Sequence, residues 1–324
     1  MSERARLVRH MVRIRVVEET LADYYRNEQE MRTPVHFSIG QEATAVGVCA
    51  ATTPQDWVYT SHRSHAPYLA KGGDLQALVA ELYGRQDGCA HGRGGSMHLI
   101  APEVGFAGSA AILGEMISVA VGTGWAFSRG GEKRVAVTYF GDGATEEGVF
   151  AESLNLAAVH RIPVVFVCEN NLYSSCSPLS ARQPAGTSIH GRAEAAGVRS
   201  AQVDGNDVFA VHAAAREAVA HARDGGGPCL LELATYRWRE HVGPKWDADY
   251  GYRSQEEIDS WLVRCPILRA TAALREREPD IATAVADWRR QFEEETREAV
   301  ARAKALPFPP VEGLLDGTYL PLAQ

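Results

Sequence analysis

Residues 133–171 read KRVAVTYFGDGATEEGVFAESLNLAAVHRIPVVFVCENN, a strand–turn–helix–strand pattern. The segment 133–140 alternates and is rich in β-branched residues, which predicts a strand. The turn 141–143 is Gly-Asp-Gly, and 144–160 carries apolar side chains at helical spacing. The continuous apolar run 163–168 is typical of a strand buried in a parallel sheet. The stretch therefore predicts a β-α-β unit.

The rest of the chain extends this alternation. Residues 198–203 and 229–234 predict two further strands, and 207–223 predicts the helix between them. Residues 2–30 have amphipathic helical spacing, and 255–304 are helical and charged. Because strands and helices alternate, we expect an α/β fold with a doubly wound parallel sheet and helical extensions at both termini.

We expect three regions: a helical extension over 1–32, an α/β domain over 33–254, and a helical region with a Pro-rich tail over 255–324. Residues 87–114 show no hydrophobic periodicity and are rich in Gly, Ala and His, which indicates a long irregular segment. Long ordered loops are usually functional. Further helices are predicted over 41–50, 74–84 (with Asp74 as N-cap and Gly84 as the stop) and 115–128.

Composition excludes several classes of protein. The 324 residues are 45% hydrophobic and 23% charged, which is enough apolar material for a large core. The net charge of -8 argues against nucleic-acid binding. Six scattered cysteines without Cys-x-x-Cys spacing indicate neither a disulfide framework nor a structural zinc site. With no signal peptide and no apolar run of about 18 residues, we expect a cytoplasmic protein that binds no membrane.

Two polar residues follow neighbouring predicted strands. Asp142 and Asn171 each come just after the carboxyl end of a strand, and such strands lie about 4.8 Å apart if they pair. Carboxylate and amide oxygens are ligands that Mg²⁺ prefers. A helix starting near Ala144 would direct free N–H groups at a phosphate bound there. The alternative to a metal and phosphate site is a plain turn in which Asp142 is the N-cap of the helix. Glu146 and Glu147 are interpreted as a pair in the first helical turn that complements the helix dipole.

This Gly-Asp-Gly and Asn-Asn spacing resembles the thiamine diphosphate motif. With its neighbours, the sequence resembles the α subunit of the decarboxylating component of 2-oxo acid dehydrogenases (pyruvate, branched-chain and acetoin types) over about residues 5–270. The neighbouring motifs are Gly40-Gln41-Glu42-Ala43, Arg63-x-His65, Gly94-Gly95-Ser96-Met97-His98, Val203-Asp204-Gly205-Asn206-Asp207 and Thr235-Tyr236-Arg237.

The resemblance implies a thiamine diphosphate-binding fold and a magnesium ion. Asp142, Asn171 and the backbone carbonyl of Tyr173 match the magnesium ligands. The backbones at Ala111 and Leu113 match positions that hold the aminopyrimidine. The residues implied to contact the diphosphate are Arg63, Gly143 and Ala144. An arginine suits this role because its guanidinium grips phosphate through two donors.

The resemblance also assigns histidines to the cofactor and the substrate, and these are His36, His65 and His241. An imidazole that titrates near neutrality suits proton transfer. Two alternatives stay open. His91 and His98 can simply satisfy backbone groups of the glycine-rich loop, and His62 with His65 has the spacing of a metal pair, although no further ligand presents itself.

A β subunit supplies the glutamate that activates the cofactor in the family. The resemblance therefore implies an α2β2 heterotetramer that is active only when both subunits are present. Two departures from the family pattern stand out. First, the residue before Arg63 is a tyrosine in the family and is His62 here. Second, the loop 240–247 keeps His241 but lacks the serines of the family's Gly-His-Ser-x-Ser-Asp sequence. Without these serines, we do not expect control by phosphorylation at this loop.

These features leave three hypotheses about the function. In the first, the αβ enzyme decarboxylates a 2-oxo acid such as pyruvate and passes the acyl unit to the lipoyl domain of an acyltransferase. In the second, the two-carbon unit goes to a carbonyl acceptor such as a keto-sugar, which the altered loop 240–247 favours. In the third, the chain is a non-catalytic regulatory subunit, which the presence of Asp142, Asn171 and Arg63 argues against.

Overall fold

The structure is a computed structural model that describes residues 1–313. Residues 314–324, the end of the predicted Pro-rich tail, lie outside the described residues. The strands are β1 (Trp57–Thr60), β2 (Phe106–Ser109), β3 (Ala136–Gly141), β4 (Val164–Asn170), β5 (Tyr173–Ser174), β6 (Ser177–Pro178), β7 (Arg199–Asp204) and β8 (Cys229–Ala234).

Six of these strands form one parallel sheet in the order β2-β1-β3-β4-β8-β7. The predicted pairing of β3 with β4 is confirmed, with Gly141 opposite Glu169. The carboxyl ends of both strands therefore meet at one edge of the sheet. The strands β5 and β6 form a separate antiparallel hairpin immediately after β4.

Helices cover both faces of the sheet. They are α1 (Glu3–Glu28), α2 (Glu42–Cys49), α3 (His65–Lys71), α4 (Leu75–Leu82), α5 (Glu115–Arg129), α6 (Gly148–His160), α7 (Leu179–Arg182), α8 (Ile189–Ala195), α9 (Val208–Arg223), α10 (Gln255–Leu262), α11 (Pro266–Leu274) and α12 (Ile281–Ala305). The predicted α/β fold with helical termini is confirmed, while the domain limits at residues 32 and 254 stay a prediction.

The two faces follow from the alternation of side chains along each strand. Val137 and Val165 point into a core shared with α1, α2 and α9, whereas Ala136 and Phe166 point into a second core with α5, α6 and α8. Every residue of β4 is buried, as the continuous apolar run predicts for a central parallel strand. No helix within residues 1–313 is long and apolar enough to cross a membrane.

Two predictions from the sequence are corrected here. The irregular segment 87–114 contains the edge strand β2, and β1 was not predicted at all. The helix expected from residue 144 begins only at Gly148, because Asp142–Glu146 forms a 3-10 turn and Glu147 is extended with φ -75° and ψ 140°. Free N–H groups near the site therefore belong to the 3-10 turn rather than to an α-helix.

Candidate active site

A cavity of about 30 Å³ lies at the carboxyl ends of β3 and β4, where the sequence predicts the cofactor. Gln41, His62 and Glu169 also line it, and they were not among the predicted site residues. The predicted site residues that line the cavity are Arg63, Leu113, Asp142, Gly143, Ala144, Asn171, Tyr173 and His241. Residues from distant parts of the chain thus converge on one edge of the sheet.

Asp142 opens the 3-10 turn and is almost fully buried, with 1% of its surface exposed. Its Oδ2 accepts a hydrogen bond from Arg182, which also binds Glu146, while its Oδ1 has no partner among residues 1–313. Burial raises the pKa of the Asp142 carboxyl, although the positive charge of Arg182 offsets part of this rise. Glu146, interpreted from the sequence as a helix-dipole residue, lies in the turn before α6 and pairs with Arg182.

Asn171 follows β4 and is held from two sides. Its Nδ2 donates to Gln41 Oε1 at 3.3 Å, and its Oδ1 accepts from the Tyr173 backbone N–H at 3.3 Å. The Tyr173 hydroxyl donates to Glu257 Oε2 at 2.8 Å, which fixes the start of the hairpin. A partnerless carboxylate oxygen on Asp142 and an amide oxygen on Asn171 form a donor set that suits Mg²⁺.

Gly143 lies where the turn meets the hairpin. A Cβ at this position would lie 2.5 Å from Ser174 Oγ, so a larger residue would push the two segments apart. This close approach explains the glycine in the Gly-Asp-Gly motif without reference to a ligand. It also leaves the backbone of the turn uncovered by a side chain at Gly143, next to the cavity.

Arg63 is a buried cation that forms no ion pair with a carboxylate of residues 1–313. Its guanidinium donates to the backbone carbonyls of Phe37 and, at 3.2 Å, of His241. Burial, with the charge of Arg237, lowers the pKa of Arg63 to about 9. Nearby Glu169 has its pKa raised to about 7 by burial. A buried guanidinium without a carboxylate partner fits a bound anion such as a diphosphate.

Three histidines form a cluster, in which His62 and His241 line the cavity and His36, predicted to be catalytic, lies beside them outside the lining. The ring centroid of His36 lies 4.6 Å from that of His62 and 5.4 Å from that of His241. Burial and the charge of Arg63 lower the pKa of His36 to about 2 and that of His241 to about 3, and they hold the pKa of His62 well below its usual range. All three imidazoles are therefore neutral at neutral pH.

The alternative of a metal pair at His62 and His65 finds no support among the described residues; His62 instead joins His36 and His241, with one nitrogen of each within 4.8 Å of the others. Three neutral imidazoles are a ligand set for zinc. The same cationic surroundings that depress their pKa values, chiefly Arg63, also repel a dication. The cluster is therefore better suited to binding polar oxygen atoms and to moving protons.

His65, predicted to be catalytic, does not line the cavity. It begins α3 and is fully buried, with Nε2 2.8 Å from Ser96 Oγ and Nδ1 3.4 Å from Glu18 Oε1. Glu18 also accepts from the Ser38 backbone N–H at 2.9 Å. In this position His65 joins α1 to the glycine-rich loop, which is a structural role.

Ala111 also lies outside the cavity lining. Its N–H points at His98 Nε2, 3.4 Å away, and His98 Nδ1 is 3.1 Å from the Gly94 carbonyl. His98 thus contacts backbone groups, as the alternative interpretation of the loop histidines expects. Its neighbour Leu113 does line the cavity.

Sequence reasoning missed Glu81, which organises the glycine-rich loop. This fully buried carboxylate accepts from four backbone N–H groups at 2.7 to 2.9 Å, and these belong to Ala90, Gly92, Gly94 and Gly95. The sequence did contain a signal for this role, because Glu81 is an acidic residue on the buried face of the predicted helix 74–84.

A buried ion-pair network supports the loop that carries His241. Asp247 Oδ2 binds Arg237 Nη1 at 2.9 Å and Arg253 Nη1 at 2.7 Å, and all three residues are buried. The Gly243 N–H donates to the Val35 carbonyl at 2.9 Å, which ties the loop to the segment that carries His36. The loop 240–247, which departs from the family pattern, is therefore fixed in place beside the cavity.

A parallel sheet with a polar cavity at its carboxyl edge is consistent with a thiamine diphosphate-dependent enzyme subunit. A family model described as the dehydrogenase E1 component matches residues 9–312. The chain belongs to this family, as an alpha subunit of the 2-oxo acid dehydrogenase type. An alpha subunit implies a beta-subunit partner.

Three relatives illustrate the range of similarity. The α subunit of acetoin:2,6-dichlorophenolindophenol oxidoreductase from Bacillus subtilis (strain 168) is 38% identical over 286 residues, 88% of this chain and 84% of that protein. The corresponding subunit from Cupriavidus necator is 37% identical over 317 residues, 96% of this chain and 92% of that protein. The pyruvate dehydrogenase E1 component subunit alpha of Rhizobium meliloti (strain 1021) is 39% identical over 267 residues, 82% of this chain and 74% of that protein.

Proposed function

We propose that this chain, together with a β subunit, decarboxylates pyruvate and passes the acyl unit to a lipoyl domain. The observation that carries the proposal is the convergence of Asp142, Asn171 and Arg63 on one cavity in a chain of the E1 family. Relatives named as pyruvate dehydrogenase subunits support pyruvate as the substrate.

Magnesium and the diphosphate would be held by this chain. Asp142 Oδ1 and Asn171 Oδ1 offer oxygen ligands, with the Tyr173 carbonyl as the third protein ligand, and Arg63 offers the cation for the phosphates. Thiamine diphosphate, when bound, would supply the nucleophilic carbon and the electron sink that decarboxylation of a 2-oxo acid requires. The residues of this chain position that cofactor and exclude water from it.

The histidine cluster handles protons. Because His36, His62 and His241 are neutral, each can donate an N–H to a substrate oxygen and accept a proton through its other nitrogen. His241 lies on the loop at the edge of the cavity and His62 at its wall, with their ring centroids 5.3 Å apart. Because their pKa values lie far below neutrality, protonation of any of these imidazoles at neutral pH is only transient.

We propose an α2β2 heterotetramer with the cofactor between the α and β subunits. The cavity of about 30 Å³ supports this, because pockets that enclose a ligand of drug size measure about 300 Å³ or more. Residues of this chain therefore surround only part of the cofactor, and a second chain completes the site. The cytoplasmic location stays a prediction from the sequence.

A second function is favoured by the loop 240–247. Glu240 accepts from the Lys245 backbone N–H at 2.8 Å and from the Tyr250 hydroxyl, so the loop is closed on itself without the serines of the family pattern. A different loop at the mouth of the site suits a different acceptor. Transfer of the two-carbon unit to a carbonyl compound such as a keto-sugar is therefore the alternative, and it keeps the same cofactor chemistry.

The experiment uses the co-expressed αβ complex with thiamine diphosphate, Mg²⁺ and pyruvate. A lipoyl domain is offered as one acceptor and a set of aldehydes and keto-sugars as the other, and both products are followed by mass spectrometry. Acetylated lipoyl domain supports the first function. Release of CO₂ with a branched product and no acetylation supports the second, and an αβ complex that binds the cofactor but forms neither product contradicts both.

A further inference from the structure

Arg182 joins Asp142, a ligand of the proposed cation site, to Glu146 of the same turn. Its Nη2 donates to Asp142 Oδ2 and its Nη1 to Glu146 Oε1, and its side chain is only 12% exposed. Arg182 ends α7, in the segment that starts at Asn171. The segment that provides Asn171 therefore returns to hold Asp142.

The arrangement leaves one oxygen of Asp142 free for an ion. Oδ2 is occupied by Arg182, whereas Oδ1 is buried and has no hydrogen-bond partner in the part of the chain that the structure describes. Groups behind a metal ligand commonly orient it in this way. Asp142 and Glu146 carry two negative charges against the single positive charge of Arg182, so the trio still attracts a cation.

Further contacts fasten the returning segment to the turn. The Leu179 N–H donates to the Leu172 carbonyl at 2.7 Å, which closes the hairpin loop. Gln183 Nε2 lies 3.2 Å from Thr145 Oγ1 and 3.2 Å from Glu146 Oε1. These contacts limit the movement of Asn171 relative to Asp142.

We propose that Arg182 is a positioning residue of the cation site: it holds Asp142 through Oδ2 so that Oδ1 is presented to the ion, and it fixes Asp142 relative to Asn171. Arg182 is not a ligand itself. The inference rests on the proposed function, because the ion concerned is the magnesium that accompanies thiamine diphosphate. Loss of the Arg182 side chain should weaken metal-dependent cofactor binding before it affects the fold.

The test compares wild-type αβ complex with Arg182→Gln, Arg182→Lys and a control, Arg199→Gln, whose side chain is 56% exposed and remote from the cavity lining. Mg²⁺ is titrated at constant thiamine diphosphate, and cofactor binding is followed by quenching of tryptophan fluorescence. Mn²⁺ binding, measured by electron paramagnetic resonance of the free ion, is the second readout. Removing a group behind a metal ligand typically costs about 10- to 100-fold in affinity.

We expect Arg182→Gln to raise the half-saturating Mg²⁺ concentration about tenfold or more, Arg182→Lys to recover part of this loss, and Arg199→Gln to match the wild type. Glu146→Gln, which removes the second anchor of the guanidinium, should shift the same value in the same direction but less. It keeps the test decisive if Arg182→Gln does not fold.

A folded Arg182→Gln complex that needs no more Mg²⁺ than the wild type would overturn the inference alone. If Arg182→Gln does not fold, an unshifted Glu146→Gln complex would overturn it. A wild-type complex whose cofactor binding ignores Mg²⁺ would overturn the proposed magnesium site and this inference with it.

Discussion

The imidazole rings of His36 and His62 meet edge to face, 4.6 Å apart between centroids, and neither nitrogen of His62 has a hydrogen-bond partner within the described residues. Both residues are more than nine-tenths buried. Buried polar atoms normally have partners, so free nitrogens at the wall of a cavity indicate a binding partner that arrives from outside the fold. His62 is therefore a candidate for direct contact with substrate.

Replacing His62 by Gln should lower turnover more than cofactor affinity. A positioned acid or base contributes about 100- to 10,000-fold to a rate, and the two remaining histidines should retain part of that effect. We expect kcat of the αβ complex to fall about 10- to 100-fold while the dissociation constant of thiamine diphosphate changes less than about threefold. The exposed His160→Gln is the control, and an unchanged kcat would remove His62 from the reaction.

Replacing Asp142 by Asn should abolish Mg²⁺-dependent cofactor binding and preserve the fold. The amide keeps the shape of the side chain but removes the charge that a divalent ion requires. Calorimetric titration of the αβ complex, with and without Mg²⁺, measures the effect. Asp204→Asn, an exposed change outside the cavity lining, is the control. Unaltered Mg²⁺ dependence would exclude Asp142 as a ligand.

Replacing His65 by Gln should reduce stability rather than turnover. The substitution weakens the contacts that Glu18 and Ser96 make with the imidazole inside the core, and a buried polar group left without its partner costs about 1–3 kcal/mol. We expect the free energy of unfolding in urea to drop by about 2 kcal/mol or more, with kcat of the folded complex within about twofold of wild type. A large loss of kcat at unchanged stability would restore the catalytic role that the sequence predicted.

Stability should fall in acid because of the histidine cluster. The pKa values of His36 and His241 are lowered to about 2 and about 3 from the ordinary histidine value of about 6.5, so the unfolded chain binds more protons below about pH 6.5. The free energy of unfolding should therefore decrease as the pH falls from about 6.5 towards about 3, by up to about 1.4 kcal/mol per pH unit for each histidine. The double variant His36→Gln, His241→Gln should flatten this slope between pH 4.5 and 6.5, and an identical slope would contradict the low pKa values.

The sequence predicts the centre of the fold well because β3, α6 and β4 each carry a strong local pattern. It misses β1 and β2 because each has four residues, and β2 reads Phe-Ala-Gly-Ser, which carries no strand signal. These short strands owe their structure to pairing, β1 with β3 and β2 with β1, rather than to their own composition.

Site residues could be predicted where their position in the sequence determines their position in the fold. Asp142 and Asn171 end neighbouring parallel strands, so their proximity follows from the β-α-β pattern. Arg182 was not predictable, because only the hairpin after β4 brings it back to Asp142. His65 follows Arg63 closely in sequence, but the start of α3 directs its ring towards Glu18 and away from the cavity.

Release of labelled CO₂ tests the central claim most directly. The αβ complex, loaded with thiamine diphosphate and Mg²⁺, is given 2-oxo acids labelled at the carboxyl carbon, with 2,6-dichlorophenolindophenol as the electron acceptor. We predict release of labelled CO₂ from pyruvate that needs both subunits and is lost in Asp142→Asn. A complex that binds the cofactor yet releases CO₂ from none of the 2-oxo acids would contradict the assignment as a decarboxylating enzyme.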